Sequence, residues 1–158
     1  MSNIPGRASG LRRAAAPLLL AAIAFAGAGM AGAQDLSSPV GLWKTIDDES
    51  KQPRSLVRIV EQEGALVGRI EKILTDKTDA RCDRCTDERK DQPVLGMTIV
   101  TGMKRDGELW DGGSILDPNN GKVYRSRMKL LEGGRKLEVR GYIGAPLFGR
   151  SQTWLREE

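Results

Sequence analysis

Cys82 and Cys85, in the run Cys82-Asp83-Arg84-Cys85, are the one pair in the chain whose spacing alone points to chemistry. Such a pair can be a local disulfide, a redox-active dithiol or half of a zinc site. Zinc needs two further Cys or His ligands, and the chain has two cysteines and no histidine. No metal site and no cofactor is therefore expected. A thioredoxin-like pair wants a strand followed by a helix, which the flanking "TDKTDARCDRCTDERKDQP" does not offer. In an oxidising compartment the spacing favours a structural Cys82–Cys85 disulfide, with the redox pair as the alternative. The lack of histidine also removes the commonest general base. No phosphate-cradling loop or nucleophile elbow is present. Two-carboxylate glycosidase chemistry stays open on residue types, but no spacing specifies it, and the expectation is a protein that is not an enzyme.

The second concentration of reactive residue types is "RGYIGAPLFGRSQTW", Arg140 to Trp154. It gathers glycines, arginines and aromatics in a chain that is only 4% aromatic. Arg140 and Tyr142 share one strand face by period two. Facing inward, they would orient an anionic head group while Trp110 and Tyr124 contact an apolar body. These four are the candidate ligand-binding residues. The alternative is that this face looks outward and Arg140 is solvated.

The elements that must position these residues read as strands after a leader. Arg7, Arg12 and Arg13 precede the apolar run Ala14 to Ala28, and "AGAQ" supplies a small-residue cleavage site after Ala33. Residues 1–33 read as a secretory signal peptide, which places a mature domain, residues 34–158, in the periplasm or outside the cell. The chain carries 25 Lys+Arg and 21 Asp+Glu. The leader holds three of the arginines and no acid, so the remainder has 22 against 21. That balance and the absence of a basic run speak against nucleic acid as a partner. No second apolar span follows, so no transmembrane segment is expected in the mature part.

From Gly41 onward, apolar alternation and turn residues predict about eight strands, at a spacing of roughly 8–12 residues. "QEG", "KRDG", "DPNNG" and "EGGR" mark the turns between them, where glycine accepts positive φ. In "KVYRSRMKLL", Tyr124, Ser126, Met128 and Leu130 fall on one face, and Arg125, Arg127 and Lys129 on the other. The fold class is all-β: an eight-stranded antiparallel up-and-down barrel of the lipocalin or calycin type. "APLFGR" predicts the last hairpin connection. The charged stretch Thr75 to Pro93 exceeds the roughly 12–15 residues of ordinary loops and is either a lid at the barrel mouth or a solvated excursion.

The ordered series "GLWKT", "PRSLVRI", "GALVGRI", "CDRC", "PVLGM", "GGSILDPNNGKVY", "LEVRGYIG" and "LFGRSQTW" resembles the secreted bacterial family called domain of unknown function 2147. The resemblance spans nearly all of the mature chain and implies a lipocalin-like barrel, but it brings no catalytic residues. "GLWKT" looks like the Gly-x-Trp opening of such barrels, in which a late arginine packs over the tryptophan. Arg156 is the matching residue, with Arg150 as the alternative. Trp43, Trp154 and Arg156 are thus the expected barrel-closure set. Two functions fit: a barrel binding a small hydrophobic or amphipathic ligand, or a filled barrel acting through its surface as an envelope or stress-related interaction module.

Overall fold

The computed structural model describes Asn3, Gly6 and residues 35–157; but for Asn3 and Gly6, the leader lies outside the described residues. Eight strands follow one another: β1 (Gly41–Ile46), β2 (Pro53–Gln62), β3 (Ala65–Ile73), β4 (Thr98–Asp106), β5 (Leu109–Asp117), β6 (Lys122–Leu131), β7 (Lys136–Tyr142) and β8 (Gly149–Arg156). Each pairs antiparallel with the next, and β8 returns to β1 through Trp43 opposite Arg156 and Lys44 opposite Leu155. The sheet therefore closes as an up-and-down barrel, as the strand count and turn spacing predict.

Alternation decides what faces inward. Ser126 and Met128 on β6 are fully buried and pair with Gly141 and Val139 on β7. The inner face of β7 is therefore Leu137, Val139 and Gly141, and the outer face carries Arg140 and Tyr142 opposite Arg127 and Arg125. Trp43, Val57, Ile59, Leu66, Ile70, Val100, Met103, Met128, Leu137, Val139 and Trp154 belong to one buried apolar cluster. β4 begins at Thr98, four residues into the apolar run "VLGMTIVTGM" that starts at Val94. Gly96 has φ +83°, which breaks extended backbone between them.

The two barrel ends differ. At one end lie the tight β2–β3, β4–β5 and β6–β7 turns and the segment before β1. At the other lie the β1–β2 turn, the β5–β6 turn, the connection over 143–148 and the long β3–β4 connection over 74–97. That long connection folds back on itself. Cys82 N–H donates to Gln92 O (2.9 Å), Asp91 N–H to Cys82 O (3.0 Å) and Val94 N–H to Ala80 O (2.8 Å). Cys82 and Cys85 are joined as a disulfide and buried in the apolar cluster. Among the described residues no helix is long and apolar enough to cross a membrane.

Candidate functional site

A cavity of about 740 Å³ opens at the end carrying the long connection. Its apolar wall is built by Ile70, Ile99, Ile115, Val139, Tyr124 and Trp154, with Ile143 and Phe148 nearer the mouth. The polar groups on the wall are mostly engaged with one another. Thr45 Oγ1 and Ser55 Oγ share a hydrogen bond at 2.8 Å. Trp154 Nε1 donates to Gln152 Oε1 (3.2 Å), and Asn120 Nδ2 donates to Tyr124 Oη (3.0 Å). Such pairing leaves an interior suited to an apolar guest. The buried Ser126 hydroxyl, on the same inner face, has no partner among the described residues.

The rim has a different character. Arg54, Lys77, Arg81, Arg84 and Arg150 border the cavity against Asp83 and Asp117. Three of these cations are committed. Arg54 Nη1 donates to Asp47 Oδ2 (2.7 Å) and its Nη2 to Asn119 Oδ1 (2.9 Å). Arg81 Nη1 donates to the Asp91 carbonyl (2.9 Å). Arg150 Nε lies 2.7 Å from Asp48 Oδ2, in a geometry that makes an ion pair rather than an aligned hydrogen bond. The Lys77 and Arg84 side chains make no hydrogen bond or ion pair among the described residues.

Thr75, Lys77, Ala80, Arg81, Asp83 and Arg84 all border the cavity, so the long connection is a lid element rather than an excursion into solvent. It is seated on the β5–β6 turn. Gly121 has φ +71°, and a Cβ there would run into the Arg84 carbonyl; only glycine permits that approach. Cys82 Sγ lies 3.6 Å from the Pro118 carbonyl oxygen, a packing contact, because a disulfide sulfur carries no proton.

Of the four ligand candidates, Tyr124 lines the cavity and Tyr142 borders it. The Tyr142 ring lies on the outer side, with the Arg125 guanidinium 5.7 Å from its centroid and its hydroxyl donating to Asp111 Oδ1 at 3.4 Å. Arg140 points outward as well, which corrects the inward placement. It donates to Pro146 O (2.6 Å), Leu147 O (3.3 Å) and Ser151 Oγ (2.9 Å). Trp110 is buried near the opposite end, opposite Met128 and with Arg105 5.4 Å from its ring centroid, and does not line the cavity. The signal for the outward face was present in "KLEV": apolar Leu137 and Val139 mark the inner positions of β7, which leaves Arg140 outside.

The closure residues separate. Arg156 Cζ sits 4.2 Å from the Trp43 ring centroid. It donates to Gly134 O (2.6 Å), Val40 O (3.0 Å) and Ser38 O (2.7 Å), and Trp43 Nε1 donates to Pro39 O (2.7 Å). One guanidinium thus ties the segment before β1 and the β6–β7 turn across the end opposite the mouth. Trp154, one step along the same inner face, belongs to the cavity wall instead. The rim cations Lys77 and Arg84 were not legible as ligand candidates, because they sit in a loop without periodicity. No group of three or more metal-ligating side chains occurs among the described residues.

A family model described as an uncharacterized protein conserved in bacteria (DUF2147) matches residues 41–156, the whole of the barrel from β1 to β8. The chain belongs to this family. Its fold is lipocalin-like: the solved structure of protein HP1028 from the human pathogen Helicobacter pylori, described as belonging to the lipocalin family, superposes with a TM-score of 0.67. The match covers 77% of this chain and 84% of that one at 16% identity, a likeness of fold. No curated protein matches the chain.

Proposed function

We propose that this family member is an exported, periplasmic or secreted carrier that binds one small amphipathic molecule, its apolar part in the barrel and an acidic head at the rim. The observation that carries this reading is the cavity of about 740 Å³ with apolar walls and charged side chains on its border. Ligand pockets usually span roughly 300–1,000 Å³ and combine apolar walls with a few oriented polar groups. A barrel packed to its axis would have favoured the surface-interaction reading, and the open interior favours binding. Lys77 and Arg84 are the free donors for an anionic head, a role Arg140 cannot take from the outer face. The residues around the cavity support binding rather than catalysis: its polar side chains pair with one another instead of converging on a reacting centre.

Native mass spectrometry of the exported protein, followed by titration of an acidic lipophilic fluorophore, tests the reading. Saturable one-to-one binding is the expected result. Lys77→Glu with Arg84→Glu should weaken it by about tenfold, equivalent to about 1.4 kcal/mol, with the fold intact. Failure of every probe to bind would leave surface interaction as the function. Export has its own check: the intact mass of secreted protein should begin at Gln34.

A further inference from the structure

The segment joining β7 to β8, "IGAPLF" over 143–148, presents the most exposed large apolar side chains among the described residues. Ile143 is 66% exposed, Leu147 80% and Phe148 76%. Leu95 and Val123, also exposed, belong to the same end of the barrel. Single exposed apolar residues are ordinary; three in one six-residue connection, two of them bordering the cavity, call for a partner.

The tip is held out rather than loosely hung. The Arg140 guanidinium spends two of its edges on the carbonyls of Pro146 and Leu147, at 2.6 and 3.3 Å, and a third on Ser151. Phe148 N–H closes a short turn on Ala145 O at 3.0 Å. Gly149 lets β8 start tight against β7, since a Cβ there would lie 2.7 Å from the Gly141 carbonyl oxygen and 2.8 Å from Tyr142 Cβ. These contacts fix the backbone that carries Leu147 and Phe148.

The tip is also continuous with the interior. Ile143 and Phe148 border the cavity as well as solvent, so the tip adjoins the cavity lining. Lys77 and Arg84 stand on the same rim with their charges free. An exposed apolar tip with free cations across the same cavity mouth suits a soft interface, where side chains enter the acyl boundary and cations meet phosphates. A protein partner would need a pocket cut to the tip.

We infer that the mouth end of the barrel docks on a phospholipid bilayer, Leu147 and Phe148 entering the boundary between headgroups and acyl chains. The docked mouth faces the bilayer, so an amphipathic ligand moves between membrane and cavity without crossing water. That transfer rests on the carrier reading; the docking does not. Arg140 is the positioning residue that holds the tip.

Flotation of the full-length exported protein with vesicles of mixed phosphatidylethanolamine and phosphatidylglycerol tests the docking. Wild-type protein should float, and Leu147→Asp should lower the bound fraction by about tenfold or more, as loss of a buried leucine predicts. Leu147 does not border the cavity, so its fluorophore titration in vesicle-free solution should be unchanged. Leu147→Trp should show a blue-shifted emission on vesicle addition, and adding Arg140→Ala should diminish that shift. No flotation, or flotation indifferent to Leu147→Asp, overturns the inference. So does a solution dimer abolished by Leu147→Asp without flotation, which would assign the tip to a protein contact. Flotation without fluorophore binding would instead remove the carrier reading and leave the docking standing.

Discussion

Arg156 combines two jobs at the closed end of the barrel: its guanidinium stacks on Trp43 and donates to three carbonyls from separate chain segments. Burial there disfavours the charged form and lowers its pKa, opposed by the Asp35 carboxylate. Trp43→Ala should cost about 3–5 kcal/mol, as for other buried aromatics. Arg156→Lys should not restore stability, because an ammonium cannot present a planar fork to diverging acceptors. Denaturant melts in a Trp43–Arg156 double-mutant cycle check both, and a coupling near zero would refute the stacking. At the mouth, Asp47 accepts from the Ser50 N–H, the Arg54 guanidinium and the Ser50 hydroxyl, which hold its carboxyl well below the usual range. A depressed folded value means that its contribution is complete above about pH 4 and is lost as pH falls through that value. Carboxyl NMR titration should place Asp47 below ordinary aspartates, and Ser50→Ala, which removes the hydroxyl but keeps the N–H, should raise it only part of the way.

The β3–β4 lid illustrates how an element without periodicity is fixed in place. Its disulfide closes a very short ring, for which chain entropy supplies about 2 kcal/mol at most. Both cysteines nevertheless sit in the apolar cluster and seat the lid on the β5–β6 turn. Cys82→Ala with Cys85→Ala should therefore loosen the lid and spare the barrel. Hydrogen exchange should rise across 75–93 and stay slow in β2, β3 and β6. Loss of protection in those strands would show that the disulfide holds the whole fold. A bound fluorophore should also dissociate faster from this variant, since the lid borders the cavity. The spacing of the cysteines and the length of the loop were legible in the sequence. The surface that receives the loop was not, because the contact joins Arg84 to Gly121 across two intervening strands.

For the molecule as a whole, one closed end and one open end make the barrel a cup. The end tied by Arg156 resists opening, while the mouth is bounded by a lid, a rim of charges and a projecting apolar tip. Filling the cup should separate binding from folding. Val139→Trp adds bulk to a cavity wall, where space for it exists, and should reduce fluorophore affinity by about tenfold or more, a loss of about 1.4 kcal/mol or greater. Its melting temperature should stay within a few degrees of wild type, by about the shift that 1 kcal/mol produces in a domain of this size. A large loss of stability with unchanged affinity would mean that the ligand lies elsewhere.

Local sequence patterns determine much of this fold. Strand number, hairpin turns and the inner face of β6 follow from period two and from glycine at turns, both of which act over a few residues. Trp43 and Arg156 were legible as partners only through the resemblance, since they stand at opposite ends of the barrel sequence. The outward face of Arg140 was written in the apolar Leu137 and Val139 beside it, once β7 is registered against β6. The cavity was not legible. Its volume is the difference between the girth of a closed sheet and the side chains that enter it, and that girth depends on pairings and bulges summed around eight strands. Nor could the rim or the projecting tip be read, because Lys77 and Arg84 on the one and Leu147 on the other belong to loops, and tertiary packing alone decides where a loop side chain ends.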